Sequence, residues 1–367
     1  MNKKFYALFG LLMVAALVLA ACGGTAPVAT EAPVEEAPAE EATEAPSEEA
    51  PAEATALICQ VTDVGGIDDK SFNATAYKGI EDAVAGLGVA GQYLESQEQS
   101  DYETNINAFI DQGCDLIVTV GFLLGDATYA AADANPGQKF AIVDYGSNFD
   151  GTTRENLVGL NFATEQAAFL SGYVAAASTQ TGTVATFGGL NIPPVTAFMD
   201  GFWHGVQYYN AENGTSVRVL GWDANTQDGL FVGNFESTDD GRTMGESLLD
   251  EGADIIMPVA GPVGLGTAAA VTERGNAWII GVDTDWTVSA ADYTPVILTS
   301  VLKNMDVAVY GQAEAVVNGT YAGGDYLGTL ENGGVGLAGS FPELQAALDA
   351  IVAGIADGSI QTIGVPQ

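Results

Sequence analysis

Residues 56–84 read ALICQVTDVGGIDDKSFNATAYKGIEDAV. The segment opens on Ala56–Val64, a short apolar and β-branched run that has the composition of a strand. It then passes through Gly65-Gly66 and Asp68-Asp69, residues that favour turns. From Ser71 the period changes: Phe72, Tyr77 and Ile80 recur on one side of a helix that runs to about Val84, with Ser71 as its expected N-cap. Strand, turn and helix in under thirty residues form half of a parallel β–α–β unit.

The same alternation continues outward. Tyr93–Glu95 reads as a short strand, Tyr102–Gln112 as a helix, Asp115–Val120 as a strand, Ala127–Asp133 as a helix and Phe140–Asp144 as a strand. The pattern restarts at Leu157–Asn161 and alternates through the helix Glu165–Ala177 to the strand Ala277–Asp283. Apolar strands separated by helices indicate a parallel sheet covered on both faces, an α/β architecture. Two halves of similar length predict two lobes. One spans 57–162 plus about 287–325, the other 163–286 plus about 326–367. A strand at Val296–Val301, a helix at Met305–Val317 and a C-terminal helix at Glu343–Ala356 are expected to cross back over the hinge.

The N-terminus has a different character. Lys3-Lys4 precede an apolar stretch, Ala7–Ala20, and then Leu19-Ala20-Ala21-Cys22. A basic start, a short apolar core and small residues before a cut describe a secretory signal over residues 1–21. The stretch is short for a transmembrane span of about 20 residues, and the cysteine resembles the lipobox of bacterial lipoproteins. Lipidation is therefore expected at Cys22, with a membrane-anchored, extracytoplasmic mature chain. Residues 23–56 hold nine Glu and five Pro, with no Lys, Arg or aromatic residue. Such a segment buries too little apolar surface to offset its chain entropy, so 22–56 reads as a disordered tether.

Beyond residue 56 lie 39 of the 48 acidic and eight of the ten basic residues, a net charge of about −31. That excludes the basic face that nucleic acids require and disfavours phosphorylated ligands. Cys59 and Cys114 both border strand-like runs, and two cysteines leave pairing open. There is no metal-ligand spacing, and the one histidine, His204, lies in an aromatic helical stretch. No cofactor is implied. Gly261–Gly266 has the wrong glycine order for a dinucleotide fingerprint, and no Gly-x-Ser-x-Gly elbow occurs, so nothing points to an enzyme.

In open α/β sheets ligands bind beyond the C-terminal ends of strands. Four such ends here carry Asp or Gly: Thr62-Asp63-Val64-Gly65, Val143-Asp144-Tyr145-Gly146, Val259-Ala260-Gly261 and Gly281-Val282-Asp283-Thr284-Asp285. Together they suggest one cleft.

The run Val61–Asn73, followed by Tyr77 and Gly79, resembles the opening signature of the basic membrane protein family. These lipoproteins are substrate-binding components of ABC transporters, with PnrA-like purine nucleoside receptors among them. The resemblance continues in order through Phe169–Tyr173, Phe187–Gly189, Ile192–Val195, Ala260–Gly266, Gly281–Asp285 and Thr299–Lys303, and covers essentially all of 57–367. It implies a type I periplasmic-binding-protein fold, two Rossmann-like lobes with parallel sheets joined by a three-strand hinge. It implies a monomer that captures a purine nucleoside (guanosine, inosine or adenosine) and delivers it to ABC permease subunits.

Carried over residue by residue, the base would stack on Phe72, with Ser71 beside it also among the ligand contacts and polar contacts from Asp63, Asn73 and Asp144. The ribose hydroxyls would be held by Asp283 and Lys303, with backbone help near Gly261. Two positions depart from the pattern. Met257 stands where relatives often carry an aromatic that sandwiches the base, and Trp286 where a polar residue is common. Both are expected to shape the ligand pocket, and they leave a sugar or another polar or heterocyclic ligand as the alternative.

Overall fold

The computed structural model describes residues 54–363. The expected signal, Cys22, the expected tether before residue 54 and the last four residues lie outside the described residues.

The first seven elements alternate strand and helix, β1 (Leu57–Val61), α1 (Phe72–Leu87), β2 (Ala90–Leu94), α2 (Asp101–Gln112), β3 (Leu116–Val120), α3 (Gly125–Ala134) and β4 (Lys139–Val143), and a loop then leads to β5 (Leu157–Phe162). The chain then crosses into α4 (Thr164–Ser178), β6 (Thr183–Gly188), α5 (Pro193–Asn213) and β7 (Arg218–Leu220). A small antiparallel pair follows, β8 (Trp222–Asp223) and β9 (Asp228–Gly229). The second alternation ends with α6 (Thr238–Asp250), β10 (Ile255–Val259), α7 (Val263–Arg274), β11 (Trp278–Asp283), α8 (Trp286–Ser289) and β12 (Ile297–Lys303). The chain returns through α9 (Met305–Val317) and β13 (Gly324–Gly328), then closes with β14 (Val335–Leu337) and α10 (Gln345–Ala356).

Two six-stranded sheets result, ordered β13-β5-β4-β3-β1-β2 and β14-β12-β11-β10-β6-β7. Every pairing within them is parallel except β12 with β14. The parallel strands explain the unbroken apolar runs. β3 (LIVTV) and β10 (IIMPV) are buried along their whole length because helices cover both faces. In the first lobe one face packs Ile80, Val118, Val143 and Val309, and the other packs Val61, Ile106, Phe109 and Ile142. Among the described residues no helix is long and apolar enough to cross a membrane.

The expected lobe boundaries need one correction. The strand expected at Val296–Val301 was assigned with 287–325 to the first lobe, but β12 pairs with β11, Val301 opposite Val282, in the second sheet. Alternation reveals that a strand exists without revealing which sheet receives it. Residues 163–303 therefore belong to the second lobe, and the returning part of the first is α9 with β13, which pairs with β5. The chain passes between lobes three times, at Phe162-Ala163, at Lys303-Asn304 and between Gly328 and Val335. The crossings bond to one another: the Ala163 N–H donates to the Gly328 carbonyl at 2.8 Å and the Asn304 N–H to the Gly334 carbonyl at 2.9 Å. Gly328 and Gly334 allow this approach, since a Cβ on Gly334 would stand 2.2 Å from the Gly328 Cα.

Cys59 of β1 and Cys114, just before β3, form a disulfide between neighbouring chain segments of the first lobe.

Candidate ligand-binding site

A cleft with about 620 Å³ of open space, its mouth included, lies between the lobes, within the range of about 300–1,000 Å³ usual for small-molecule sites. It is built where the sequence points, at the C-terminal ends of β1, β3 and β4 in one lobe and β10, β11 and β12 in the other. Of the expected contacts, Asp63, Phe72, Asn73, Asp144, Gly261, Asp283 and Lys303 line it.

The turn into α1 sets the first wall. The side chain that caps α1 is Asp69, not Ser71. Asp69 Oδ1 accepts from the N–H groups of Ser71 and Ala74, both at 3.0 Å, and Oδ2 accepts from the Asn73 N–H at 2.7 Å. A carboxylate reaching forward from the loop serves three orphan donors, whereas the Ser71 side chain makes no capping bond. Burial pushes the Asp69 carboxyl up to about 6. Ser71 is buried and outside the cleft lining; its hydroxyl donates to Asp283 Oδ2 at 2.7 Å, from one lobe to the other. The cap aims Phe72, the first residue of α1, into the cleft.

The second wall is ionic. Lys303, 2 % exposed at the end of β12, pairs with Asp144 at the end of β4, another link between the lobes. Its ammonium stands 4.8 Å from the centre of the Phe72 ring and 5.4 Å from that of Phe162, within cation–π range. Burial raises the Asp283 carboxyl, and Asp144 adds to this; Lys303 and the Ser71 hydroxyl oppose it. Asp144 and Asp283 occupy corresponding strands of the two sheets, and both take the left-handed backbone, φ 67° and 69°. Aspartate tolerates this conformation better than most residues. The kink turns each carboxylate out of its strand toward the gap.

Asp63 closes the base of the first lobe. Its carboxyl is raised by burial, against hydrogen bonds from Tyr102 and the Val64 N–H. Its N–H donates to Asn73 Oδ1 at 3.2 Å.

Besides Ser71, two expected contacts do not reach the cleft. Met257 is fully buried in β10, its sulfur facing the Ser171 hydroxyl at 3.6 Å, within the second-lobe core. In a strand covered on both faces, alternation alone does not say which side faces a ligand. Trp286 is 1 % exposed in the same core, its indole N–H donating to the Val282 carbonyl at 3.0 Å. Apart from Phe72, the aromatic lining comes from three residues that sequence reasoning missed: Phe122 after β3, Phe198 on α5 and Phe235 in the loop before α6. Phe122 follows a strand end and a glycine, the signal used for the other walls. Phe198 and Phe235 carry no such mark. Ile192, Pro194 and Pro262 complete the apolar side.

The cleft thus presents aromatic faces, carboxylate acceptors from both lobes and one buried ammonium, a set suited to a small polar ligand with a flat apolar face. Residues 57–353 match the family model described as ABC transporter substrate-binding protein PnrA-like. The chain is 34% identical over 283 residues to an uncharacterised lipoprotein of Pyrococcus furiosus, covering 75% of this chain and 68% of that one. It is 29% identical over 320 residues to the ABC transporter nucleoside-binding protein BmpA of Lactococcus lactis, covering 82% and 87%. Among solved structures, an ABC transporter solute-binding protein of Aeropyrum pernix superposes with a TM-score of 0.72 at 29% identity, covering 85% of this chain and 94% of that one. The chain belongs to the basic membrane protein family, the PnrA-like substrate-binding proteins of ABC transporters, and has the type I periplasmic-binding fold.

Proposed function

We propose that this receptor captures a purine nucleoside between its lobes and presents it, as a monomer held to the membrane by lipid on Cys22, to its ABC permease. The observation that carries the reading is the Phe72 ring beside the buried Lys303, with Asp144 and Asp283 approaching from opposite lobes. A purine stacks on the aromatic face. A ribose diol donates to a carboxylate and accepts from an ammonium. The Lactococcus relative, described as nucleoside-binding, supports the same reading. Lysine 303 already serves Asp144, so little positive charge is left for a phosphate, and a neutral nucleoside fits better than a nucleotide.

Closure follows from the same groups. Asp144, Asp283, Ser71 and Lys303 join the lobes directly, and a ligand bonded to them adds to those links, shifting the open–closed balance toward the closed form. The alternative of a sugar rests on Met257 and Trp286, and neither lines the cleft.

Isothermal titration tests the proposal, using the full chain in detergent after unfolding and refolding to strip carried-over ligand. The panel is guanosine, inosine, adenosine, cytidine and ribose. The expected result is one-to-one purine-nucleoside binding, weakened on the order of 10- to 100-fold in Phe72→Ala, the worth of one stacked base. Heat from ribose alone, or from no nucleoside with folded protein, refutes it.

A further inference from the structure

Asp63 ends β1 with its two carboxylate oxygens in different states. Oδ1 accepts from the Val64 N–H at 2.7 Å and from the hydroxyl of Tyr102. Oδ2 receives no donor among the described residues and lies against Gly121, where an added Cβ would stand 2.5 Å from it. Gly121 holds φ 123°, a conformation open to glycine, so the wall in front of Oδ2 is bare backbone. Tyr102, on α2, is 3 % exposed and lies outside the cleft lining, behind the carboxylate.

A carboxylate free at both oxygens accepts two parallel donors or turns to suit its partner. Held at Oδ1 by two donors, this one offers the cleft a single fixed acceptor. We propose that Tyr102 is a positioning residue for ligand selection: it fixes Asp63 so that Oδ2 alone meets the ligand, and the cleft thereby selects bases that present an N–H over bases that present only acceptors. The inference rests on the nucleoside reading above. A base with acceptors alone leaves the buried carboxylate unpaired and faces it with lone pairs, which is how polar sites reject analogues that lack a donor.

The groups that act on Asp63 come from three elements: Tyr102 on α2, the Val64 N–H after β1, and Glu236 from the second-lobe loop, whose like charge favours protonation. Tyr102 is the strongest of the groups that favour the ionised form. Removing its hydroxyl raises the carboxyl further and shifts the acid limit of binding toward neutral pH.

The test compares inosine, which carries an N1–H, with purine riboside, whose base has no N–H. Binding of both to the full chain in detergent is titrated between pH 5 and pH 8, for the wild type, Tyr102→Phe and Gly121→Ala. The wild type is expected to prefer inosine on the order of 10- to 100-fold, the worth of a hydrogen bond to a charged group. Tyr102→Phe keeps the buried ring, and is expected to reduce that preference about tenfold and move the acid limb of inosine binding to higher pH, with purine riboside affinity unchanged. Gly121→Ala crowds Oδ2 from the other side and is expected to reduce the same preference, which tests Oδ2 as the acceptor independently of Tyr102; Tyr102→Leu, which also lacks the hydroxyl, repeats the test of Tyr102 if Tyr102→Phe does not fold. An inosine preference and acid limb unchanged in the Tyr102 variant overturn the role of Tyr102 while leaving nucleoside binding in place. A wild type that binds neither compound removes the nucleoside reading and this inference together.

Discussion

Replacing Lys303 by Met tests whether the lobes are joined by a buried ion pair. The substitution keeps a long unbranched stem and deletes the ammonium. Lys303 is 2 % exposed and its partner Asp144 7 %, so both charges are largely out of water. At an effective dielectric of about 20, opposite charges about 4 Å apart attract by roughly 4 kcal/mol, and removing one member of a buried pair costs about 3–5 kcal/mol because the other is left uncompensated. Here the loss touches two acids, since Lys303 also lowers the Asp283 carboxyl. Lys303→Met is therefore expected to lose about 3–5 kcal/mol in urea unfolding at pH 7. The double variant with Asp144→Asn is expected to recover about 2 kcal/mol of the summed single losses, a measure of direct coupling. Because the pair spans the lobes, opening rehydrates Asp144, and part of the cost is expected to emerge as a larger radius of gyration in small-angle scattering. A variant that loses less than about 1 kcal/mol and keeps the wild-type radius would behave like an exposed salt bridge, and would refute the argument.

The Cys59–Cys114 bridge spans a sequence separation of 55, for which loop-closure entropy gives about 4 kcal/mol; guanidinium unfolding with and without reductant measures it. Gly205 of α5 lies against α4, where an added Cβ would meet the Phe169 carbonyl at 2.0 Å, so Gly205→Ala is expected to cost about 1–3 kcal/mol or more in thermal unfolding. The Asp69 carboxyl, pushed up to about 6 by burial, sits above its unfolded value of about 3.9. Its contribution is thus fully present below pH 4 and lost as pH rises through 6, a loss on the order of 3 kcal/mol by pH 7. Unfolding of wild type and Asp69→Asn between pH 4 and pH 7 is expected to show that extra decline in the wild type alone.

The alternation of apolar runs and helices made both sheets legible, because strands buried on two faces leave an unmistakable composition in β3 and β10. What escaped depends on partners distant in sequence. β12 looks like any other strand until β11 is found beside it. β13 (GDYLG) and β14 (VGL) are too short and glycine-rich to stand out, yet each borders a sheet. In the site, residues fixed by a strand end were readable: Asp63, Asp144, Asp283 and Lys303 all sit where a strand stops. Met257 misled because an apolar residue in a doubly covered strand has two possible sides. Ser71 misled because it stands immediately before the helix, while Asp69, an equally good capping residue, reaches the same donors from two residues earlier. Phe198 and Phe235 enter the cleft only through the packing of α5 and of the loop before α6.

The disulfide also determines how the first lobe bears mechanical load. Any pull on the chain ahead of residue 54 enters the sheet at Leu57, the first residue of β1, a strand flanked by β2 and β3. Two residues further on, the force meets the covalent bond from Cys59 to Cys114 and passes to the segment that leads into β3. Peeling can therefore release only Leu57 and Ile58 before the bond takes the load. The rest of β1, and with it Asp63 at the cleft, is shielded from tension, so a receptor dragged by its N-terminus would keep its binding wall in register.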